Sequence, residues 1–144
     1  MERSEHAKEL FLSGNNCAQS VLLSFAEDMG YSKELALKVS AGFGGGIAKE
    51  QQICGAVTGA IMVLGILKGE KASDNDELKS QTYSAVQLFL KKFTEDFQST
   101  SCGELTGCDF KSDAGNEKFK NEEVMENICA PCVKRAVELV EALK

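Results

Sequence analysis

This chain has very little histidine and fewer basic than acidic residues, and each feature excludes some classes of function. His6 is the single histidine among 144 residues. Histidine is the side chain most often used as a general acid or base, so an imidazole-based active site is not expected. The net charge is -6, whereas nucleic acids and anionic membrane surfaces require a basic face. We expect no nucleic-acid partner, while a protein partner remains compatible with the charge.

Long hydrophobic runs are also missing. The most apolar segment, residues 53–67, is shorter than the roughly 20 residues that a membrane-spanning helix needs, and three glycines interrupt it. The charged residues 1–6 lack the apolar core of a secretory signal. We therefore expect no membrane insertion and a cytoplasmic protein, in which thiols are normally reduced. A form processed from a secreted precursor is the alternative.

No segment alternates apolar and polar residues in the manner of a β-strand, whereas helical spacing recurs throughout. The sequence predicts an all-α, single-domain helical bundle of residues 1–144 around a central apolar helix at 52–67. The polar residues 111–127 are expected to form a mobile connection with at most one short turn. The other predicted helices lie near residues 7–11, 18–25, 35–39, 78–97 and 133–143, with a single turn at 102.

Six cysteines are the most informative feature that the chain does have. Four of them each lie in the first turn of a different predicted helix: Cys17, Cys54, Cys102 and Cys129. Asn15 or Asn16 can cap the helix that begins near Cys17, and Ser101 can cap the turn at Cys102. Unpaired N–H groups and the helix dipole favour an anion there, so a thiol tends toward thiolate. We take these four as catalytic candidates and expect them to converge. Cys17 or Cys102 is expected to attack, and Cys54 or Cys129 to resolve.

The remaining cysteines allow more than one interpretation. Cys129 and Cys132 form a C-x-x-C that contains Pro131, but the βαβ context of a thioredoxin-like motif is absent. On a helix the two lie on one face, so they can share a metal or form a disulfide. Alternatively, Cys132 fills the apolar face of the last helix. Cys108 is interpreted as incidental, with a resolving role as the alternative.

A metal centre is the second chemical interpretation of the same residues. Soft thiolate ligands favour zinc or an iron–sulfur cluster. Zinc fingers usually contain two short-spaced ligand pairs, whereas this chain has one, and His6 stands alone near the terminus. The metal-ligand candidates are therefore Cys17, Cys54, Cys102 and Cys129, brought together from distant helices, with Cys132 as a substitute.

A glycine run, Gly42-Phe43-Gly44-Gly45-Gly46, lies upstream of Cys54. It lacks the lysine and hydroxyl residue of a P-loop, and no strand precedes it. Glycines allow positive φ and a close approach to a neighbouring helix. We expect at least one of them to adopt positive φ and the run to shape the pocket beside Cys54.

The ordered motifs resemble the C_GCAxxG_C_C family. The matching stretches are Asn16-Cys17-Ala18-Gln19-Ser20-Val21-Leu22, the glycine run, Cys54-Gly55-Ala56-Val57-Thr58-Gly59-Ala60, Cys102-Gly103-Glu104-Leu105-Thr106-Gly107, and a cysteine that opens the last helix. The resemblance implies a redox-active protein with four characteristic cysteines. These correspond to Cys17, Cys54, Cys102 and Cys129, with Cys132 as the alternative to the last.

Three functions follow from these observations. The first is thiol–disulfide electron transfer with a redox partner protein or a small thiol. The second is electron transfer or metal sensing by a cysteine-ligated metal or iron–sulfur centre. The third is a helical interaction module whose cysteines are structural. Homo-oligomerisation is compatible with each of them.

Overall fold

Eight α-helices form the protein, and no β-strand is present. The computed structural model describes all 144 residues, and the predicted all-α, single-domain fold is confirmed. The helices are α1 Arg3–Leu12, α2 Cys17–Ala26, α3 Lys33–Ser40, α4 Gly55–Gly69, α5 Asn75–Phe97, α6 Cys102–Thr106, α7 Asp113–Asn121 and α8 Ala130–Leu143.

Capping residues fix the starts of two cysteine-bearing helices, as the sequence predicts. Asn16 begins α2 with a capping box: its side chain accepts from the Gln19 N–H at 2.9 Å, and the Gln19 side chain accepts from the Asn16 N–H at 2.9 Å. Ser101 caps α6 by accepting from the Glu104 N–H at 3.3 Å. These bonds satisfy donors that a helix start leaves unpaired.

The apolar helix α4 begins at Gly55, three residues later than expected. Residues 52–54 instead pair with the chain before α6 through an isolated antiparallel bridge between Ile53 and Ser101. The Cys54 N–H donates to the Thr100 carbonyl at 2.7 Å, and the Cys102 N–H donates to the Gln52 carbonyl at 2.7 Å. This pairing holds two cysteines near each other.

The expectation of a mobile connection at 111–127 is wrong. Residues Asp113–Asn121 form helix α7, and Met125–Cys129 form a π-helical turn that continues into α8. The Ser112 side chain caps α7 by accepting from the Gly115 N–H at 2.9 Å. Phe119 packs edge-on against Phe110, with ring centroids 5.2 Å apart. Local capping and one aromatic contact thus order a segment too polar to show an apolar face.

Three helices share the core. Helices α2, α4 and α8 each contribute seven buried residues, and α4 packs against α2, α5 and α8. That α4 is the centre of the bundle stays a prediction.

None of the helices combines the length and the apolar composition that a membrane span requires. Helix α3 leaves Leu35 and Val39 about half exposed, and homo-oligomerisation stays a prediction.

Glycines allow α4 to approach α2 closely. A Cβ at Gly59 would lie 2.9 Å from the Ala18 carbonyl oxygen and 3.0 Å from the Val21 Cβ. A Cβ at Gly55 would lie 2.9 Å from the Cys17 Cβ. Because ordinary side chains cannot fit at these distances, the crossing depends on glycine, and it places Cys17 beside the start of α4.

We expect Gly59→Ala to lower the free energy of unfolding by about 1–3 kcal/mol, because the added methyl overpacks the crossing. Gly65→Ala in the same helix is the matched control. Its Cβ would meet only Thr82 Cγ2, at 4.0 Å, so it should raise stability by about 0.5–1 kcal/mol. Urea unfolding measures both changes, and equal effects at the two sites would contradict the close crossing.

Candidate functional site

Three of the four predicted cysteines lie at helix starts. Cys17 and Cys102 are the first residues of α2 and α6, and Cys54 directly precedes α4. Cys129 does not fit this expectation. Its backbone is helical, with φ -68° and ψ -45°, because the π-helical turn runs through it into α8. The start of α8 therefore leaves no free N–H groups beside Cys129.

The four predicted cysteines come together although they are distant in sequence. Cys17, Cys102 and Cys129 line one cavity of about 440 Å³. Cys54 lies in the adjoining core and is 7% exposed, and its charge acts on all three cavity cysteines. The structure thus assembles these thiols at one place. Their catalytic role stays a prediction.

Cys54 is paired with Cys132, which is 1% exposed. The pKa of the Cys54 thiol is lowered, first because the Cys132 thiol donates a hydrogen bond to its sulfur. The neutral Cys54 side chain makes no capping hydrogen bond, but the N–H groups of Ala56 and Val57 at the start of α4 stabilise its thiolate. The same contact raises the pKa of Cys132, which keeps its proton.

The helix starts do not lower the pKa values of Cys17 and Cys102, and that one of these two cysteines attacks stays a prediction. Burial raises the pKa of Cys102 to about 11 and that of Cys129 to about 12, and the nearby charge of Cys54 adds to both. Burial also raises the pKa of Cys17 well above its usual range. Desolvation of a charged thiolate therefore exceeds the stabilisation that a helix start provides.

Two further cysteines lie beside the four predicted ones. Cys132 fills the apolar face of α8, as one interpretation of the sequence has it, and it also acts on Cys54. Cys108, interpreted from the sequence as incidental, is buried, and its charge acts on Cys102 and Cys129. The C-x-x-C spacing was a signal for Cys132, whereas no local pattern marked Cys108.

Gln51 connects the cysteine-bearing loops and was not predicted. Its side-chain Nε2 donates to the Cys108 carbonyl at 2.5 Å, and its Oε1 accepts from the Phe110 N–H at 3.0 Å. A hydrogen bond from the same side chain to the Cys102 sulfur opposes the effect of burial on the pKa of Cys102. A glutamine in a loop carries no sequence signal of this role.

The glycine run leads into a left-handed segment at residues 45–49. The φ angles of these five residues are 64°, 69°, 66°, 48° and 63°, which confirms that glycines of the run adopt positive φ. The other three residues include the β-branched Ile47, and left-handed backbone costs such residues roughly 1–2 kcal/mol each. Hydrogen bonds hold the segment, including Ala48 N–H to the Gly42 carbonyl at 2.9 Å.

The glycine run and the left-handed segment pack against Cys102 and against Asn16, which caps α2. A Cβ at Gly46 would lie 2.6 Å from the Cys102 Cβ, and a Cβ at Gly44 would lie 2.7 Å from the Asn16 Cβ. Gly45 and Lys49 line the cavity. The run therefore forms part of the cavity wall and is more than a linker.

Comparison with known proteins places this geometry in a family. The family described as "Putative redox-active protein (C_GCAxxG_C_C)" matches residues 15–143. The chain belongs to this family. An "Uncharacterized protein" of Archaeoglobus fulgidus is 30% identical over 116 residues, covering 73% of this chain and 77% of the relative. No solved structure matches the chain.

The C_GCAxxG_C_C description agrees with a site made of thiols, and it does not name a substrate. All six cysteines are free thiols in the structure. No three histidine, cysteine or carboxylate side chains are arranged to hold a metal ion. The arrangement provides one hydrogen-bonded thiol pair and three further thiols that face a cavity.

Gly46→Ala should lower the free energy of unfolding by about 2 kcal/mol and change the alkylation rate of Cys102, because the new methyl strains a φ of +69° and overlaps the Cys102 side chain. Gly42→Ala is the control. Nothing lies within 4 Å of its Cβ, so stability should change by less than about 0.5 kcal/mol. Wild-type stability and Cys102 reactivity in Gly46→Ala would show that the contact is unimportant.

Alkylation of the reduced, metal-free protein between about pH 5 and 9 should give Cys54 a lower pH midpoint than Cys17, Cys102, Cys129 and Cys132. The pKa of Cys54 is lowered whereas the pKa values of these four are raised, so the Cys54 thiolate forms at a pH where they remain protonated. Mass spectrometry reports each site separately. Cys132→Ala should reduce the Cys54 rate at pH 7 about tenfold, because a hydrogen bond to a charged group contributes about 1.5–3 kcal/mol.

Cys132→Ser is the matched control for this measurement, since its hydroxyl can still donate to Cys54 and should retain most of the rate. A midpoint at Cys54 equal to those of Cys102 and Cys129 would rule out an activated thiol at this position.

Proposed function

We propose that this protein transfers electrons by thiol–disulfide exchange, with Cys54 and Cys132 holding the electron pair. The observation that supports this most directly is the proximity of these two buried thiols, which lowers the pKa of Cys54 and raises that of Cys132. Thiolate is the form that attacks a disulfide, and a protonated neighbour can resolve the mixed disulfide once it loses its proton. The family description agrees with redox activity.

The cavity thiols Cys17, Cys102 and Cys129 link this buried pair to the outside. The Cys54 thiolate takes the proton of a cavity thiol, and the resulting cavity thiolate attacks a substrate disulfide, forms a mixed disulfide and releases one substrate thiolate. That substrate thiolate takes the proton from Cys54, and the Cys54 thiolate then attacks the sulfur of the cavity cysteine and releases the second substrate thiolate. Finally Cys132 gives its proton to this second thiolate and attacks Cys54, which forms the Cys54–Cys132 disulfide and releases the cavity cysteine as a thiolate.

The overall exchange conserves atoms and electrons. One substrate disulfide is reduced to two thiols, and one protein dithiol is oxidised to a disulfide. The protons of the cavity thiol and of Cys132 end on the two substrate thiols, and the cavity thiolate takes a proton from water. A redox partner protein or a small thiol reverses the change by reducing the Cys54–Cys132 disulfide, and it becomes a disulfide itself.

A cysteine-ligated metal is the second candidate. The convergence of thiols from four parts of the chain favours it, because a cation would offset the burial and mutual repulsion that now raise three of their pKa values. Cys17, Cys54, Cys102 and Cys129 would be the ligands, with Cys132 as the alternative to Cys129, and their sulfurs would have to move together because no three of them lie at ligand spacing in the structure. Zinc or an iron–sulfur cluster suits thiolate ligands.

Equilibration of the full chain in a glutathione redox buffer, followed by acid trapping and mass spectrometry, tests the first function. We expect a two-electron transition in which a Cys54–Cys132 disulfide appears. Cys54→Ser and Cys132→Ser should each abolish that transition, because neither variant can close the disulfide.

Cys108→Ser is the control, since Cys108 has no part in the exchange and the transition should persist. Absence of any disulfide that contains Cys54 would overturn the proposal. Protein purified without oxygen is analysed for iron, sulfide and zinc in parallel. Stoichiometric metal that blocks alkylation of Cys54 would replace dithiol exchange by the second candidate.

A further inference from the structure

The cavity over the three thiols has walls that restrict what can enter. Its volume of about 440 Å³ lies within the range of small-molecule sites, roughly 300–1,000 Å³. Four apolar side chains contribute to its wall: Phe11, Phe110, Phe119 and Met125. Phe110 and Phe119 are held edge to face by their mutual contact. These surfaces suit a flat or bulky apolar group.

The charge of the cavity lining is positive, although the protein is acidic overall. Lys49 is the one lining residue with a basic side chain, and no aspartate or glutamate lines the cavity, in a chain with 22 acidic residues. The adjacent Glu50 is paired with Lys111 at 2.6 Å. Glu126 acts on Cys129 from outside the lining. A ligand group beside Lys49 therefore meets a cation that no lining carboxylate neutralises.

Amide side chains complete the lining and are held in place. Asn15 donates to the Leu10 carbonyl at 2.9 Å and Asn16 to the Ala41 carbonyl at 3.0 Å, whereas Asn116 donates to both the Phe110 and the Ser112 carbonyls. Because an amide carries two N–H donors, Asn15 and Asn16 each keep one for a ligand. Fixed neutral donors of this kind can position a polar group of a ligand without contributing charge.

We propose that the cavity takes a small disulfide with an aromatic or similarly apolar body and a carboxylate. This inference rests on the proposed function and names the substrate class for the same site. The apolar body packs on the phenylalanine walls, the carboxylate lies toward Lys49, and the S–S bond reaches the cavity thiols. Attack by one thiolate forms a mixed disulfide and releases one substrate thiolate, which takes up the proton that the cavity thiol lost.

Stopped-flow reaction of the reduced full chain with four probes tests this proposal. The probes are bis(carboxynitrophenyl) disulfide, neutral dipyridyl disulfide, cationic cystamine and, as a protein disulfide, insulin. Each rate is divided by the rate of the same probe with N-acetylcysteine, which removes intrinsic reactivity. We expect the normalised rate of the carboxylated aromatic disulfide to exceed that of cystamine by about tenfold or more.

Lys49→Gln should reduce the normalised rate of the carboxylated probe about three- to tenfold and leave that of dipyridyl disulfide unchanged, because only the former interacts with the charge. Lys92→Gln is the matched control. It makes the same change in net charge on α5, which contributes no residue to the cavity, and it should behave as the wild type. Phe119→Leu, a conservative change that tests the wall, should slow both aromatic probes and not cystamine.

The outcomes separate this proposal from the function on which it rests. Equal normalised rates for all small probes, or reaction with insulin alone, would overturn the substrate class while leaving thiol–disulfide exchange intact. A Lys92→Gln effect as large as that of Lys49→Gln would overturn the role of the cavity lysine. No reaction with any probe, together with no Cys54–Cys132 disulfide in the redox titration, would overturn the proposed function itself.

Discussion

The close crossing of α2 and α4 is the constraint on which the rest of the site depends. Gly55 and Gly59 lie where α4 meets the start and middle of α2, at distances that exclude a Cβ. Dense packing transmits such constraints, since a core has few voids into which a displaced helix could relax. The crossing therefore sets the position of Cys17 relative to Cys54, and α8 closes the cluster because it packs against both helices.

Burial and neighbouring donors act in opposite directions on the pKa values of these thiols. Desolvation raises the pKa of Cys17, Cys102 and Cys129, and their mutual charges add to the effect. Cys54 differs because the Cys132 thiol and two N–H groups of α4 stabilise its thiolate. One site thus contains a thiol disposed to lose its proton beside neighbours disposed to keep theirs.

The left-handed residues 45–49 add a local cost that the surrounding contacts must offset. Strained backbone of this kind persists only where neighbouring structure determines it, and it is common at functional sites. Here the segment lies between the cap of α2 and Cys102, and it supplies Gly45 and Lys49 to the cavity wall. The strain and the charged residue of the cavity therefore belong to the same short segment.

Local chemistry allowed much of this protein to be predicted from sequence. Helical spacing identified the fold class, the caps at Asn16 and Ser101 identified two cysteine-bearing helix starts, and the glycine run indicated positive φ, because each depends on residues near in sequence. Helix α7 was missed, since its order rests on the cap at Ser112 and on the Phe110 contact, which leave no apolar periodicity in the sequence.

The differences in pKa among the cysteines depend on tertiary structure alone. Sequence position made Cys17 and Cys102 the natural acidic thiols, and it gave no reason to pair Cys54 with Cys132. Burial and neighbouring charge depend on side chains brought together from distant helices, and here they outweigh the local effect of a helix start. The sequence by itself identified four cysteines that come together, whereas packing determined which thiol has a lowered pKa and which residues form the cavity beside it.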